Sequence, residues 1–460
     1  MPPCRPLFAA RPSLFALFHM HLRDRQILRI AIPSIVSNIT VPLLGLVDVT
    51  VVGHLGAPAY IGAIAVGGML FNVICWVFNF LRMGTSGLTS QAYGRRDLTE
   101  VVRLLIRSTT VGLCVGLCFC LLQVPVRHLA FMLVRSTDEV LRLTAVYFHI
   151  CIYGVPAMLA LYGLSGWYIG MQNSRIPMVV AITQNVTNIV VTLLLVFGLH
   201  MKVEGVAAGT VIAQYVGLLL AVLLWRRYYG RLWRYLRPED GTHVGLWSRE
   251  AVARFFRVNR DIFFRTLCLV AVTMYFTTAG AAQGEVVLAV NTLLMQFFIL
   301  YSFVMDGFAY AGEAMSGRFI GAGNREALTD TIRRLFVWGG ATMLAFTAAY
   351  AFGGNVIVGL LTDDRGVVAA ASDYFGWAVA IPAAGMAAFI WDGVFIGATA
   401  TRLMLASMAV AALSFFVLFF SLRPALGNHG LWIAFLSYLF LRGAMQTLLA
   451  RRAIGVRGPS

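Results

Sequence analysis

The sequence predicts an all-α polytopic membrane protein, with twelve transmembrane helices in two six-helix lobes related by a pseudo-two-fold axis along the membrane normal. Composition is the first reason. The 460 residues are 59% hydrophobic and only 12% charged, with a mean hydropathy of +0.79; a soluble domain carries about 25% charged residues. Patterning is the second. Apolar runs recur at about 27–53, 61–81, 104–134, 143–170, 177–200, 205–225, 262–283, 286–308, 335–361, 368–398, 403–422 and 429–450, each long enough to span a bilayer. Duplication is the third. LTEVVRLL at 98–105 matches LTDTIRRL at 328–335, an offset of 230. Tyr168-Ile169-Gly170 matches Phe395-Ile396-Gly397, and Arg175 matches Arg402, both at an offset of 227. Each half enters the membrane in the same sense because six is even, which puts the repeat axis along the membrane normal.

Charge fixes topology. The formal net charge is +16, and Lys202 is the only lysine. These charges sit in short links between apolar runs, so they orient the chain and do not mark a nucleic-acid surface. Arg95, Arg96, Arg175, Arg325 and Arg402 fall in even-numbered links, and odd-numbered links are poor in basic residues. The positive-inside rule then places both termini in the cytoplasm. The sixth link is the longest and richest in arginine. It divides the chain into a tail (1–25), an N-lobe (26–230), a cytoplasmic link (231–258) and a C-lobe (259–460). The first twenty residues hold no small-residue cleavage site, so no signal peptide is expected, and Met20 is an alternative start. Six of the seven cysteines lie inside apolar runs and read as small buried hydrophobes, without a disulfide framework or a metal site. GAGNRE at 321–326 is a glycine-rich turn with no preceding strand, so it does not read as a phosphate cradle.

The first run carries the most informative residue. Between Arg29 and His54 the one ionisable side chain is Asp48. An intramembrane acid is costly and is read by default as functional, facing the bundle interior. Asn38, Pro42, Gly45 and Asp48 share one helical face. Pro42 leaves the carbonyl of Asn38 without its usual donor and favours a bend. The fifth run sets Gln184, Asn188 and Thr192 four apart on one face, and the sixth sets Thr210 and Gln214 four apart. These faces are expected to meet Asp48; helix–helix glue is the simpler role for each residue alone. In the C-lobe, Asp306, Tyr310 and Glu313 share a face of the eighth run, and Asp392 lies in the tenth. Asp306 and Asp392 are expected to give the cavity a negative character. Glu313, near the boundary, is expected to pair with an arginine such as Arg82 or Arg318.

The stretches IPSIVSNITVPLLGLVDVTVVGHLG, LRMGTSGLTSQAYGRRD, MDGFAYAGEAMSGRFIGAGN and WDGVFIGAT resemble the MATE (multidrug and toxic compound extrusion) transporters, within them the DinF-like bacterial branch. The resemblance runs from about Arg29 to the C-terminus. It implies a two-lobed bundle that exports amphipathic compounds in exchange for protons or Na+. Asp48 looks like the family's first-helix coupling acid, Asn188 like its fifth-helix asparagine and Thr210 like its sixth-helix threonine. Many relatives carry an Asp where this chain has Thr192, so Asp48 stands as the only deep acid of the N-lobe.

The expectation is a non-enzymatic, cation-coupled antiporter, driven by H+ in preference to Na+ and needing no cofactor or bound metal. Coupling is assigned to Asp48, Asn188, Thr192 and Thr210. A substrate cavity is assigned to Asn38, Gln184, Gln214, Asp306, Tyr310 and Asp392. The partners expected are small amphipathic cations and the lipid bilayer, with no nucleic acid. The protein is expected to be a monomer in the bacterial inner membrane. The alternative is a flippase or exporter of a lipid-linked or other specific metabolite, which calls for a cationic cavity; the deep acids speak against it.

Overall fold

The computed structural model describes residues 21–53, 58–132, 137–236, 246–362 and 364–455. Among them the chain forms fourteen α-helices and no strand. The first nine are α1 (Leu22–Gly53), α2 (Pro58–Phe78), α3 (Phe80–Gly94), α4 (Leu98–Leu121), α5 (Gln123–Met132), α6 (Asp138–Cys151), α7 (Val155–Gly170), α8 (Arg175–Leu193) and α9 (Val203–Tyr229). The other five are α10 (Arg249–Ala281), α11 (Glu285–Gly321), α12 (Arg325–Leu361), α13 (Arg365–Gly397) and α14 (Thr401–Ala453). Ten helical segments among the described residues are long and apolar enough to cross a membrane. One of these, α14, breaks at Gly427 (φ 51°) into two limbs. The 32-residue α1 adds a further span, giving twelve crossings, six per lobe.

The duplication is visible in backbone geometry. Four helix junctions share one turn, in which Arg96 (φ 61°), Gln172 (φ 64°), Gly323 (φ 68°) and Thr399 (φ 52°) take the left-handed conformation. In each, the following amide bonds back across the turn: Asp97 to the Ala92 carbonyl, Asn173 to Tyr168, Asn324 to Phe319 and Ala400 to Phe395, at 2.9–3.0 Å. This is the Schellman arrangement that satisfies the last carbonyls of a helix. Arg96 and Gly323 are 227 residues apart, as are Gln172 and Thr399. After two of these turns a polar side chain caps the next helix: Asp97 accepts from the Glu100 amide, and Asn324 accepts from the Ala327 amide, both at 2.9 Å.

The same offset relates the contacts between lobes. A Cβ on Gly94 of α3 would strike the carbonyl of Arg318 on α11, and a Cβ on Gly321 of α11 would strike the carbonyl of Gln91 on α3. Gly94 pairs with Gly321, and Gln91 with Arg318, at 227. The two helices therefore cross at the pseudo-two-fold axis with their backbones touching, as small residues allow in a membrane. Gly87 of α3 is held equally close to the carbonyl of Ile396 on α13. Polar contacts reinforce this end. Gln91 Nε2 donates to the Gly397 carbonyl at 2.9 Å, and Gln172 Nε2 donates to the Ala314 carbonyl at 2.6 Å. At the start of α1, Arg23 meets Asp330, and Asp24 meets Arg334 at 2.6 Å. Among the described residues, the hydrogen bonds and ion pairs between lobes lie at mid-membrane, at Asn38–Phe303, or on the side of the four shared turns.

Several boundaries differ from those expected. The second run does not end at 81: after a break at Asn79 it continues as α3 to Gly94, and Leu81–Ala92 is buried. Its Gly, Thr and Ser residues read as link in hydropathy, yet their small size suits them to the lobe junction. The third run divides into α4 and α5. Helix α10 begins at Arg249, inside the stretch assigned to the link, because arginine is a good helix former and does not end a helix. Cys114 and Cys118 are exposed on α4 and not buried. Cys4 lies outside the described residues.

The close approach at Gly87 predicts an asymmetry between two glycine substitutions. A Cβ added at Gly340, on α12, would meet nothing within 4 Å. Thermal unfolding of purified protein is expected to show Gly87→Ala lowering the Tm. Gly340→Ala is expected to hold or raise it, since replacing an open helical glycine gains about 0.5–1 kcal/mol.

Candidate functional site

In the N-lobe, α8 and α9 are joined by two rungs. Gln184 Nε2 donates to Gln214 Oε1 at 3.0 Å, and Asn188 Nδ2 donates to Thr210 Oγ1 at 3.1 Å. The rungs are possible because Gly217 and Gly209 leave room: a Cβ at either would collide with Gln184 or Thr192. The ladder is incomplete. Asn188 Oδ1 and Thr192 Oγ1 are buried without a hydrogen-bond partner among the described residues. Leaving such groups unpaired is unfavourable by about 1–3 kcal/mol each, which marks the place as one where another polar group belongs.

Helix α1 runs alongside α8 in the same direction. Ser174 Oγ bonds the Ile30 carbonyl at 2.9 Å, and Asn185 Nδ2 bonds the Thr40 carbonyl at 3.2 Å. The two contacts have offsets of 144 and 145 residues, so the helices stay in register. Carried onward, that register sets the backbone of Asp48 level with Thr192. The side chain of Asp48 lies outside the described residues. Helix α1 is continuous through Pro33 and Pro42. Asn38 does not join the α8–α9 ladder; its Nδ2 donates to the Phe303 carbonyl on α11 at 3.1 Å, at the lobe interface.

The C-lobe is built differently. Asp392 on α13 is 5% exposed. Its Oδ2 meets the guanidinium of Arg265 on α10 and that of Arg442 on α14, the latter at 3.0 Å. Its Oδ1 accepts from Gln446 Nε2 at 2.6 Å. One carboxylate thus faces two arginines, which are always protonated. Nearer the turns, Arg82 of α3 lies 3.6 Å from Glu313 of α11, a residue 1% exposed. The Arg82 guanidinium also stands over the ring of Tyr310, 4.2 Å from its centroid, an arrangement that favours a desolvated cation. Asp306 is half-buried between these two clusters and within electrostatic reach of Arg82, Arg265 and Arg442.

The expected acidic cavity is corrected here. Asp392 is held in an ion cluster of net positive charge. Around Asp306, three acids (Asp306, Glu313 and Asp392) are matched by three arginines (Arg82, Arg265 and Arg442). Tyr310 is engaged with Arg82, and Gln184 with Gln214. Arg265 and Arg442 were the residues missed. The signal was present: each is an ionisable residue inside an apolar run, as Asp48 is. No group of three His, Cys, Asp or Glu among the described residues is placed to hold a metal ion.

The cluster predicts an order of damage. Removing one partner of a buried ion pair costs about 3–5 kcal/mol because a charge is left uncompensated. Asp392→Asn leaves two facing guanidinium groups, whereas Arg442→Gln still leaves Asp392 paired with Arg265. Thermal unfolding in detergent is expected to show a much larger loss for Asp392→Asn. Equal losses would contradict this account of the cluster.

Comparison with known proteins agrees with the geometry. The MatE family matches residues 33–194 and 262–420. DNA damage-inducible protein F of Escherichia coli (strain K12) is 38% identical over 429 residues, covering 93% of this chain and 92% of that one. Multidrug and toxin extrusion protein 1 of Xenopus tropicalis is 26% identical over 329 residues, 69% of this chain and 54% of that one. Among solved structures, the Vibrio cholerae MATE transporter VcmN in its bent form superposes with a TM-score of 0.81 at 16% identity, over 94% of this chain and 97% of that one. A Pyrococcus furiosus transporter of the MOP superfamily, described as having a binding pocket of reverse polarity, superposes with a TM-score of 0.80 at 19% identity, over 94% and 96%. The multi-pass bundle, its internal duplication and these matches lead to one conclusion: the chain belongs to the MATE family of multidrug and toxin extrusion transporters.

Proposed function

We propose that this transporter is a proton-coupled exporter of amphipathic compounds, organic cations among them, with its coupling site in the N-lobe at Asp48, Asn188, Thr192 and Thr210. The observation that carries this reading is a pair of buried groups without a partner among the described residues, Asn188 Oδ1 and Thr192 Oγ1, at the level to which the register of α1 and α8 brings the backbone of Asp48. A carboxyl group that gains and loses a proton there changes from donor to acceptor, and the ladder beside it can answer either state. The C-lobe acids suit coupling less well, since Asp392 and Glu313 each face arginine.

Export then follows from alternating access. The lobes are joined on the side of the shared turns, which the distribution of arginines assigns to the cytoplasm, with both termini on that side. A proton entering from outside neutralises Asp48 and releases the bound compound outward; rocking returns the proton inward. Inward movement yields about 2.3 kcal/mol per 100 mV of potential and about 1.4 kcal/mol per unit of pH difference. The protein works as a monomer in the inner membrane of a bacterium, with no cofactor beyond the coupling ion.

A second reading is favoured by the buried arginines. Arg265 and Arg442 outnumber the carboxylate between them, an arrangement that suits a substrate bearing a negative group, such as a lipid-linked metabolite. Proteoliposomes separate the two. Internal pH is followed on adding ethidium, with and without Na+, for wild type and Asp48→Asn. Proton movement that requires the drug, ignores Na+ and is lost in the variant is the expected result. Drug flux supported only by Na+ would overturn proton coupling. Absence of flux with every organic cation, alongside flux of an amphipathic anion, would favour the second reading.

A further inference from the structure

The two halves of the molecule treat one arginine differently. In the C-lobe, Arg334 of α12 bonds Asp24 through Nη1 at 2.6 Å and Asp330 through Nε at 3.1 Å. Asp24 sits in the first turn of α1, the helix that starts the other lobe. The turns at Arg96 and Gly323 and the caps at Asp97 and Asn324 align α4 with α12 at 227 residues, not at the 230 read from LTEVVRLL and LTDTIRRL, so the position equivalent to Arg334 is Arg107 of α4. Helix α10 is likewise the counterpart of α1, since Leu22 corresponds to Arg249. At the places of Asp24 and Asp330, however, stand Ala251 and Arg103. Both acids that satisfy the arginine in one half are replaced in the other.

The consequence is an incompletely satisfied cation. Arg107 is 1% exposed. Its Nη1 reaches Glu100 at 3.2 Å and its Nη2 the Leu246 carbonyl at 2.8 Å, but its Nε is buried with no partner among the described residues. A small pocket opens beside it, lined by Arg95, Glu100, Arg107, Ala251, Arg254 and Phe255 among others. Three guanidinium groups there face one carboxylate. The first turn of α10 borders the pocket through Ala251, and its cap residue Ser248 makes no side-chain capping bond, so the positive end of a 33-residue helix adds to the attraction for an anion.

We propose that the pocket between α4 and the start of α10 binds a phosphate-type oxyanion through Arg95, Arg107 and Arg254. The oxyanion takes the role that Asp24 plays for Arg334. Its source is a free phosphate or the headgroup of an anionic lipid, because the pocket lies at the membrane end of the bundle that carries the shared turns. Binding there ties the α3–α4 turn to α10. Arg254 also reaches Gln91 Oε1 at 3.5 Å, and Gln91 bonds Gly397 and Thr399 across the lobes. The anion therefore holds the lobe junction in its closed arrangement.

Thermal unfolding of the purified full-length protein tests this without reference to transport. One arm titrates inorganic phosphate against chloride at constant ionic strength. The other compares nanodiscs of phosphatidylglycerol with nanodiscs of phosphatidylcholine. At least one probe is expected to raise the Tm of wild type, with the half-effective amount increased several-fold in Arg95→Gln and Arg254→Gln. Ala251→Asp restores the carboxylate found in the other half, and is expected to raise the Tm in chloride and to abolish the response. A response to phosphate identifies a free anion; a response to phosphatidylglycerol alone identifies a lipid headgroup. No shift with either probe, or an undiminished shift in the three variants, would overturn the proposal.

Discussion

The lobes meet where α3 and α11 touch backbone to backbone, and this contact governs the rest of the architecture. Gly94 and Gly321 make it possible, each against a carbonyl of the other helix. Contact at this distance leaves no side chain to deform, so the lobes either meet or part as units. Leu81–Ala92 is almost continuously buried, yet Thr85, Thr89 and Ser316 keep hydroxyl oxygens without partners among the described residues. Closure therefore leaves polar groups unsatisfied, and opening lets water satisfy them. Tight packing favours this arrangement while the unsatisfied hydroxyls oppose it.

Buried charge follows the same division. Arg265, Asp392, Arg442 and Gln446 come from α10, α13 and α14, all within the C-lobe. The cluster can travel with that lobe intact, and its cost is met once, on folding. Arg82 and Glu313 instead belong to different lobes. Any rocking that separates α3 from α11 separates them too, and leaves each in need of water or another partner. Tyr310 beside Arg82 gives the cation a second favourable contact on the α11 side. Ion pairs inside a lobe stiffen it; this one joins the two lobes.

Much of this arrangement could be read from residues alone, and the reasons for the remainder are physical. The repeat was legible at Tyr168-Ile169-Gly170 and Phe395-Ile396-Gly397 because these residues build a turn and a close helix contact, both intolerant of change. The spacing of Gln184, Asn188 and Thr192 gave the ladder face, since helical periodicity is local. Hydropathy misjudged α3 because small polar residues resemble a loop in composition, although they pack like a core. It also set the start of α10 too late, because charges on a helix protruding from the bilayer leave its backbone unbroken. The pairing of Asp392 with Arg265 and Arg442 depends on which faces of three distant helices converge, and no local pattern encodes that. An acid read alone suggested a negative cavity; its partners reverse the sign.

Where the halves agree they fix geometry, and where they differ they separate tasks. At the 227-residue offset, Asp48 corresponds to Tyr275, Asn188 to Phe415 and Thr192 to Phe419. In the C-lobe these three positions are in mutual contact. The Tyr275 ring lies 6.3 Å from that of Phe415 and 5.4 Å from that of Phe419, edge-on in both cases. Aromatic rings so arranged fill their space and need no further partner. The same three places in the N-lobe hold a carboxylic acid, an amide and a hydroxyl, with the amide and hydroxyl oxygens buried and without a partner among the described residues. If packing were their only purpose, the aromatic solution in the other half would be the better one, since a buried polar group without a partner is destabilising. Polar groups therefore stand in the N-lobe at the positions where the duplicate is sealed with rings, and the two halves differ in chemistry at equivalent places. The C-lobe carries paired charge and packing, and the two halves are joined where α3 and α11 touch.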